Sequence, residues 1–301
     1  CKMRKRLRRF FSLLVIAGLL IGTVSGCGGD GADKITVGSK NYTENILLGE
    51  IMAQLIENKT DLKVERKLNL GGTLVAWEAL KKGDLDLYPE YTGTALMAIL
   101  KKEVMYDADE VYNLVQKEYN EQFQVKWLKP FGFNNTYATA VTREMAEKYN
   151  LVKTSDLKPY AKDLVFCAEQ EFFNRDDGYD GFVKTYNLQF KDKRAVETAL
   201  KYQAVAEGKV QVIDAFSTDG ELVTYDMVIL EDDKGFFPPY HGAPIVRMDT
   251  LEKYPELEEV LNLLAGQISD TEMQQLNYQV KEQKKDAAEV ATKFLQDKGL
   301  I

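Results

Sequence analysis

Apolar residues recur at helical spacing between Glu44 and Glu57, where Ile46, Leu47, Ile51, Met52 and Leu55 share one face. Asn41 and Thr43 are placed to cap that helix. Residues 34–39 form a short β-rich run before it, and 63–69 alternate like a strand after it. Residues 72–82 read as a helix ending near Gly83, and 85–88 as a strand stopped by Pro89. The pattern restarts after Asn134. Strands are expected at 137–143, 164–168 and 210–215, with helices after Asp176 and across 195–207. The chain closes in helices at 255–264, 270–281 and 284–298, the second opened by a Ser269/Glu272 capping box. Strands alternating with helices predict an α/β architecture with a largely parallel sheet.

One internal echo organises these elements. Ala79-Leu80-Lys81-Lys82-Gly83 leads through an alternating run to Tyr91 and Thr92; Ala204-Val205-Ala206-Glu207-Gly208 leads likewise to Phe216 and Ser217. Each aromatic falls eight residues after its glycine. The echo predicts two related lobes, each presenting an aromatic ring just past the carboxyl end of a strand, where open α/β sheets bind ligands. A site between two lobes suits a hinged clamp, with crossings expected at 131–134 and 235–240.

Charge and composition then narrow the function. Residues 1–26 carry six Lys/Arg and no acid, so a net −8 for 301 residues leaves about −14 on the body. Such a body argues against nucleic acid, which needs clustered cations. One histidine, His241, and three cysteines make most zinc sites implausible, and no metal or cofactor is expected. There is no Gly-rich phosphate loop, so the chain is not expected to bind ATP itself. The basic start, the apolar run from Phe10 to Val24 and the small residues before Val24-Ser25-Gly26-Cys27 describe a secretory leader. That ending resembles a lipoprotein lipobox, which makes residues 1–26 a signal peptide, Cys27 the lipidated residue and 27–33 a flexible tether. An uncleaved membrane anchor is the alternative. Translation is expected to start at Met3. After processing, Cys167 is the sole side-chain thiol, so no disulfide is expected within the chain.

Sixteen Tyr and fourteen Phe accompany two Trp. Four rings sit beside turn residues: Tyr91, Tyr137, Phe216 and Tyr240. Each could be ordinary packing. Converging on one site, they would suit a methylated cation, which is drawn to ring faces and forms no hydrogen bond. Lys40, near the start of the Glu44 helix, and Arg175, before Asp176-Asp177-Gly178, are candidate grips for a carboxylate. A solvated lysine and a local ion pair are the alternatives.

Gly38-Ser39-Lys40-Asn41-Tyr42-Thr43-Glu44, Tyr88-Pro89-Glu90-Tyr91-Thr92-Gly93-Thr94, Asn134-Asn135-Thr136-Tyr137-Ala138, Phe173-Asn174-Arg175-Asp176-Asp177-Gly178-Tyr179 and Glu231-Asp232-Asp233-Lys234-Gly235-Phe236-Phe237-Pro238-Pro239-Tyr240 occur in that order. Together they resemble the osmoprotectant substrate-binding proteins, the glycine betaine, carnitine and choline receptors of ABC importers, from about Lys34 to the C-terminus. The resemblance implies a type II periplasmic-binding-protein fold: two α/β lobes closing on a ligand, with 34–133 and 240–301 in lobe 1 and 134–239 in lobe 2. It implies an extracytoplasmic receptor working with an ABC permease and its ATPase. It also implies an aromatic box in which Tyr91, Tyr137 and Tyr240 match three walls and Phe216 stands where a Tyr is common. Lys40, Thr94 and Arg175 fall at positions that contact the ligand carboxylate, and Asn135 is a further polar candidate. Glycine betaine is the expected ligand, with choline, carnitine or a histidine betaine such as ergothioneine as alternatives. An enzyme pairing Cys167 with His241 is the rival from another class, and requires those two residues to meet in a cleft.

Overall fold

A computed structural model describes residues 34–174, 178–196 and 198–301. The expected leader and tether, Cys27 and Arg175 lie outside the described residues. Among the described residues the strands form two five-stranded sheets. In chain order they are β1 (Lys34–Gly38), β2 (Lys63–Lys67), β3 (Leu87–Tyr91), β4 (Val125–Trp127), β5 (Tyr137–Thr142), β6 (Val165–Ala168), β7 (Asp192–Ala195), β8 (Val212–Phe216), β9 (Met227–Leu230) and β10 (Gly242–Arg247). The first sheet runs β2-β1-β3-β10-β4 and the second β7-β6-β8-β5-β9.

The two sheets repeat one topology. β2, β1 and β3 are parallel neighbours, as are β7, β6 and β8. The two remaining pairings in each sheet are antiparallel. Gly83 and Gly208 end the equivalent helices at φ 80° and 71°, the left-handed region glycine enters without strain. Four residues later each chain starts its central strand, β3 or β8, ending on Tyr91 or Phe216. The internal echo is thus a repeated lobe.

The sheets are mixed where the alternation predicted mostly parallel strands. β5 and β10 cause the difference. Each follows a connection from the other lobe: β5 opens the second sheet and β10 re-enters the first between β3 and β4, and each runs antiparallel to both of its neighbours. Nor does Pro89 stop its strand. β3 continues to Tyr91 with Pro89 opposite Pro244 of β10, so neither strand needs an N–H from the other at that rung. The short strands β4, β7 and β9, together with β10 and the Ala108–Phe123 helix, were not anticipated from the pattern. The expected 195–207 helix is a strand up to Ala195 and a helix over Thr198–Ala206.

The Thr43–Lys59 helix shows what holds lobe 1 together. Leu47, Leu48, Ile51, Met52, Leu55 and Ile56 have no solvent exposure and pack on Ile35 and Val37 of β1. A leucine-sized side chain so buried contributes about 1.5–3 kcal/mol. The C-terminal helices close the same core through Leu257, Leu261, Met273 and Leu295. The Ser269/Glu272 capping box forms as expected, with Ser269 Oγ accepting from Glu272 N at 3.2 Å. The expected caps Asn41 and Thr43 do not form: the N-cap position is Tyr42, without a side-chain cap bond. Asn45 takes over the turn instead. Its Oδ1 accepts from Lys40 N at 2.6 Å and its Nδ2 donates to Pro89 O at 2.8 Å, tying the end of β1 to β3.

The chain passes between the sheets twice, after β4 and after β9. The two connections run side by side. Asn134 and His241 form an isolated antiparallel bridge, Asn135 N donates to Tyr240 O at 3.1 Å, and Tyr240 N donates to Asn134 Oδ1 at 2.7 Å.

Candidate functional site

A cavity of about 790 Å³ opens between the lobes. Lobe 1 supplies Tyr42, Glu44, Tyr91, Thr94 and Asn277, the connections supply Asn135 and Tyr240, and lobe 2 supplies Tyr137, Phe216, Thr218 and Asp219. Six of the residues singled out in the sequence therefore meet here: Tyr91, Thr94, Asn135, Tyr137, Phe216 and Tyr240.

Sheet geometry aims these rings. Tyr137 and Phe216 are register partners at the ends of β5 and β8, so their rings sit 4.7 Å apart, tilted by 33°. Phe172 and Phe237 back Tyr137 at 5.4 and 6.2 Å. Across the cavity, Tyr91 is buried at the end of β3 with the Tyr42 ring 6.2 Å away. The Tyr240 ring lies on the backbone of Gly93. A Cβ at that glycine would stand 2.8 Å from two Tyr240 ring carbons and 2.7 Å from Pro239 O, so only glycine admits the ring.

Lys40 requires a correction. It is not in the cavity lining. Its side chain is buried with Glu90 in an ion pair, and its Nζ lies 5.2 Å from the Tyr91 ring centre. Glu90 also accepts from Tyr88 Oη at 2.9 Å and from Tyr91 N at 2.8 Å. Two opposite charges removed from water together hold each other, because either alone would be costly. Lys201 repeats the device in lobe 2. It is buried between Asp214 at 3.1 Å and Glu169 at 3.0 Å, with its Nζ 6.0 Å from the Phe216 ring centre.

Glu44 was missed as a site residue. In the sequence it is an ordinary first-turn acid; in the fold it is buried in the cavity wall. Its Oε1 accepts from Tyr91 Oη at 2.7 Å and Asn135 Nδ2 at 2.8 Å, and its Oε2 from Asn277 Nδ2 at 2.9 Å. Burial pushes the carboxyl above its usual range, and hydrogen bonds from Thr218, Tyr91, Asn277 and Asn135 pull part of the way back. The available signal was its place in the Gly38–Glu44 motif, one residue into a helix without a side-chain cap. Asp219, also in the lining, is likewise raised by burial and is held by Tyr202 Oη and Phe216 N. Lys281, at the rim, is paired with Glu221. Five rings and two carboxylates thus stand in described walls otherwise lined mainly by Asn and Thr side chains, a setting for a cation.

The Cys167–His241 pair does not assemble. Cys167 is buried inside β6, its thiol pushed up to about 11 chiefly by burial. His241 lies beside the connections, with Nδ1 3.2 Å from Phe133 O. Among the described residues no helix is long and apolar enough to cross a membrane.

Residues 33–297 match the family described as the substrate-binding domain of the ABC-type glycine betaine transport system. The chain belongs to this family. It is 37% identical to the carnitine transport binding protein OpuCC of Listeria monocytogenes, over 98% of this chain and 97% of that one. It is 38% identical to the ergothioneine transport permease/ergothioneine binding protein EgtU of Helicobacter pylori, over 88% of this chain and 48% of that longer protein. The crystal structure of a glycine betaine/carnitine/choline ABC transporter protein superposes with a TM-score of 0.86 at 33% identity, covering 89% of this chain and 98% of the other. The two lobes are those of a type II periplasmic binding protein. As an OpuAC-type protein, the chain is the extracytoplasmic substrate-binding component of an ABC importer and works with a permease. Its family is one of transport substrate-binding proteins.

Proposed function

We propose that the protein captures a quaternary-ammonium osmoprotectant, glycine betaine or a similar zwitterion, between its lobes and delivers it to the permease and its ATPase. One observation carries this reading: aromatic rings from both lobes and the carboxylate of Glu44 line a single interlobe cavity. A trimethylammonium group forms no hydrogen bonds, so ring faces and a nearby negative charge are its available partners. Tyr91, Tyr137, Phe216 and Tyr240 are assigned to the head of the ligand. Thr94 and Arg175 are assigned to its carboxylate end. Lys40 acts from behind Tyr91 by holding Glu90. The relatives named for carnitine and ergothioneine support a betaine and keep those two, with choline, as alternative ligands. Cys27 is proposed to carry the lipid anchor that keeps the receptor at the membrane. Mass spectrometry of the mature protein should then find an acylated N-terminal Cys27, and a retained leader would refute the anchor.

A thermal-shift panel of glycine betaine, carnitine, choline and ergothioneine tests the main reading. A bound ligand at a hundred times its dissociation constant adds about 2.7 kcal/mol of stability. No shift with any trimethylammonium compound would overturn it.

A further inference from the structure

One helix of lobe 1 is fastened along its length to lobe 2. In the Asp270–Lys281 helix, Met273 and Leu276 face the lobe 1 core. Its contacts to the rest of the chain step away from the connections turn by turn. Asp270 Oδ1 accepts from Asn134 N at 2.8 Å, on the first connection itself. Gln274 Nε2 then donates to Ser217 O at 2.7 Å, Asn277 Nδ2 donates to Thr218 O at 2.8 Å, and Lys281 pairs with Glu221. Positions 270, 274, 277 and 281 are three or four residues apart and share one helical face. At about 1.5 Å of rise per residue, Lys281 stands about 16 Å along the helix from Asp270.

Gly220 shows how close the two lobes come. Its φ of −65° and ψ of −24° suit any residue, so lobe 2 by itself has no need of glycine there. A Cβ at Gly220 would stand 2.8 Å from Tyr278 N and 2.9 Å from Tyr278 Cα, both backbone atoms of the lobe 1 helix. The glycine answers the approach of the other lobe. Every partner in this seam is protein, so its energy acts whether or not the cavity is filled. Asn277 joins the seam to the cavity wall, because the same Nδ2 donates to Glu44 Oε2 at 2.9 Å. We propose that this helix face is a clasp that favours the closed arrangement of the lobes before any ligand arrives. Gly220, Glu221 and Lys281 then set affinity without selecting the ligand, although Gly220 and Lys281 reach the cavity edge. Apparent affinity scales with the closed fraction, so a looser clasp weakens every ligand by one factor.

Gly220→Ala in the full chain tests this, since alanine fits the lobe 2 backbone and collides only with the lobe 1 helix. Calorimetry should show tetramethylammonium, glycine betaine and carnitine weakened by the same factor, at least about tenfold. Small-angle scattering should show the ligand-free variant more open than ligand-free wild type. The double variant Glu221→Gln/Lys281→Met removes the partly exposed ion pair without changing net charge. It should give the same pattern at about two- to fivefold, and it decides should Gly220→Ala not fold. Affinities within twofold of wild type with unchanged scattering would overturn the clasp. So would losses that differ from ligand to ligand, which would make these residues ligand contacts. If wild type binds none of the three, the quaternary-ammonium reading falls and the scattering comparison alone decides the clasp.

Discussion

Replacing Glu44 by Gln removes one negative charge from the cavity wall and changes little else in shape. The charge effect can be sized from the structure. Tyr91 Oη is 2.7 Å from Glu44 Oε1. A cation over the Tyr91 face, within about 6 Å of its centre, therefore lies roughly 6–7 Å from the carboxylate. Opposite unit charges at that range and an effective dielectric of about 20 attract by roughly 2.5 kcal/mol. Solvent entering the open side of the cavity lowers this, so the expected loss is about ten- to fiftyfold in dissociation constant. Calorimetry should show that loss for tetramethylammonium and choline. Glycine betaine should lose less, because Glu44 also repels its carboxylate. The pH dependence carries a sign. Burial holds the Glu44 carboxyl above its usual range, so acidification protonates it early and discharges the wall. Affinity for tetramethylammonium should fall as pH drops through that raised value in wild type, and Glu44→Gln should lose that step and keep only what Asp219 contributes. Asp219, also raised and also in the lining, is the control, and Asp219→Asn should leave the Glu44-dependent step in place. Binding of tetramethylammonium by Glu44→Gln within twofold of wild type would refute this electrostatic role.

Three further outcomes follow from the same geometry. Tyr137→Ala should weaken betaine binding by at least about tenfold in calorimetry, through loss of a ring face and its packing, while circular dichroism stays native; unchanged affinity would remove the ring from the site. Lys40→Ala should cost about 3–5 kcal/mol in urea unfolding, because it strands the buried Glu90 charge, and adding Glu90→Gln should recover much of the loss. A variant of normal stability that no longer binds would instead return Lys40 to ligand contact. Cys167 should resist iodoacetamide at pH 8 until the protein is unfolded, since the thiol is buried and pushed up to about 11, and fast labelling of the native state would contradict its placement.

What could be read in advance follows the range of the interactions. The Thr43–Lys59 helix and the helices near the C-terminus declare themselves through apolar spacing, and the Gly83/Gly208 echo marks the repeat because both glycines answer a local backbone need. The aromatic residues were legible because Gly/Pro-rich loops are poor places to bury a ring for packing alone. Strand direction was not: β5 and β10 look like other strands, and only their arrival from the opposite lobe makes them antiparallel. Glu44 was hidden for a similar reason. Its partners are numbered 91, 135, 218 and 277, so its role exists only once four distant segments meet. Lys40 read as a free cation because Glu90, its partner, lies fifty residues on, and local charge patterning cannot find such a pair.

Recognition of positive charge by ring faces and a carboxylate is the central claim, and one measurement isolates it. Glycine betaine and 3,3-dimethylbutanoate share shape and carboxylate but differ by N⁺ against carbon in the head. Titrated into the same protein by calorimetry, the uncharged isostere should bind at least about a hundredfold more weakly, as expected when several cation–π contacts and a counter-charge are lost together. Equal affinity for the two would show that the cavity recognises a bulky apolar head by shape, and would contradict the assignment of Tyr91, Tyr137, Phe216, Tyr240 and Glu44 to a cation.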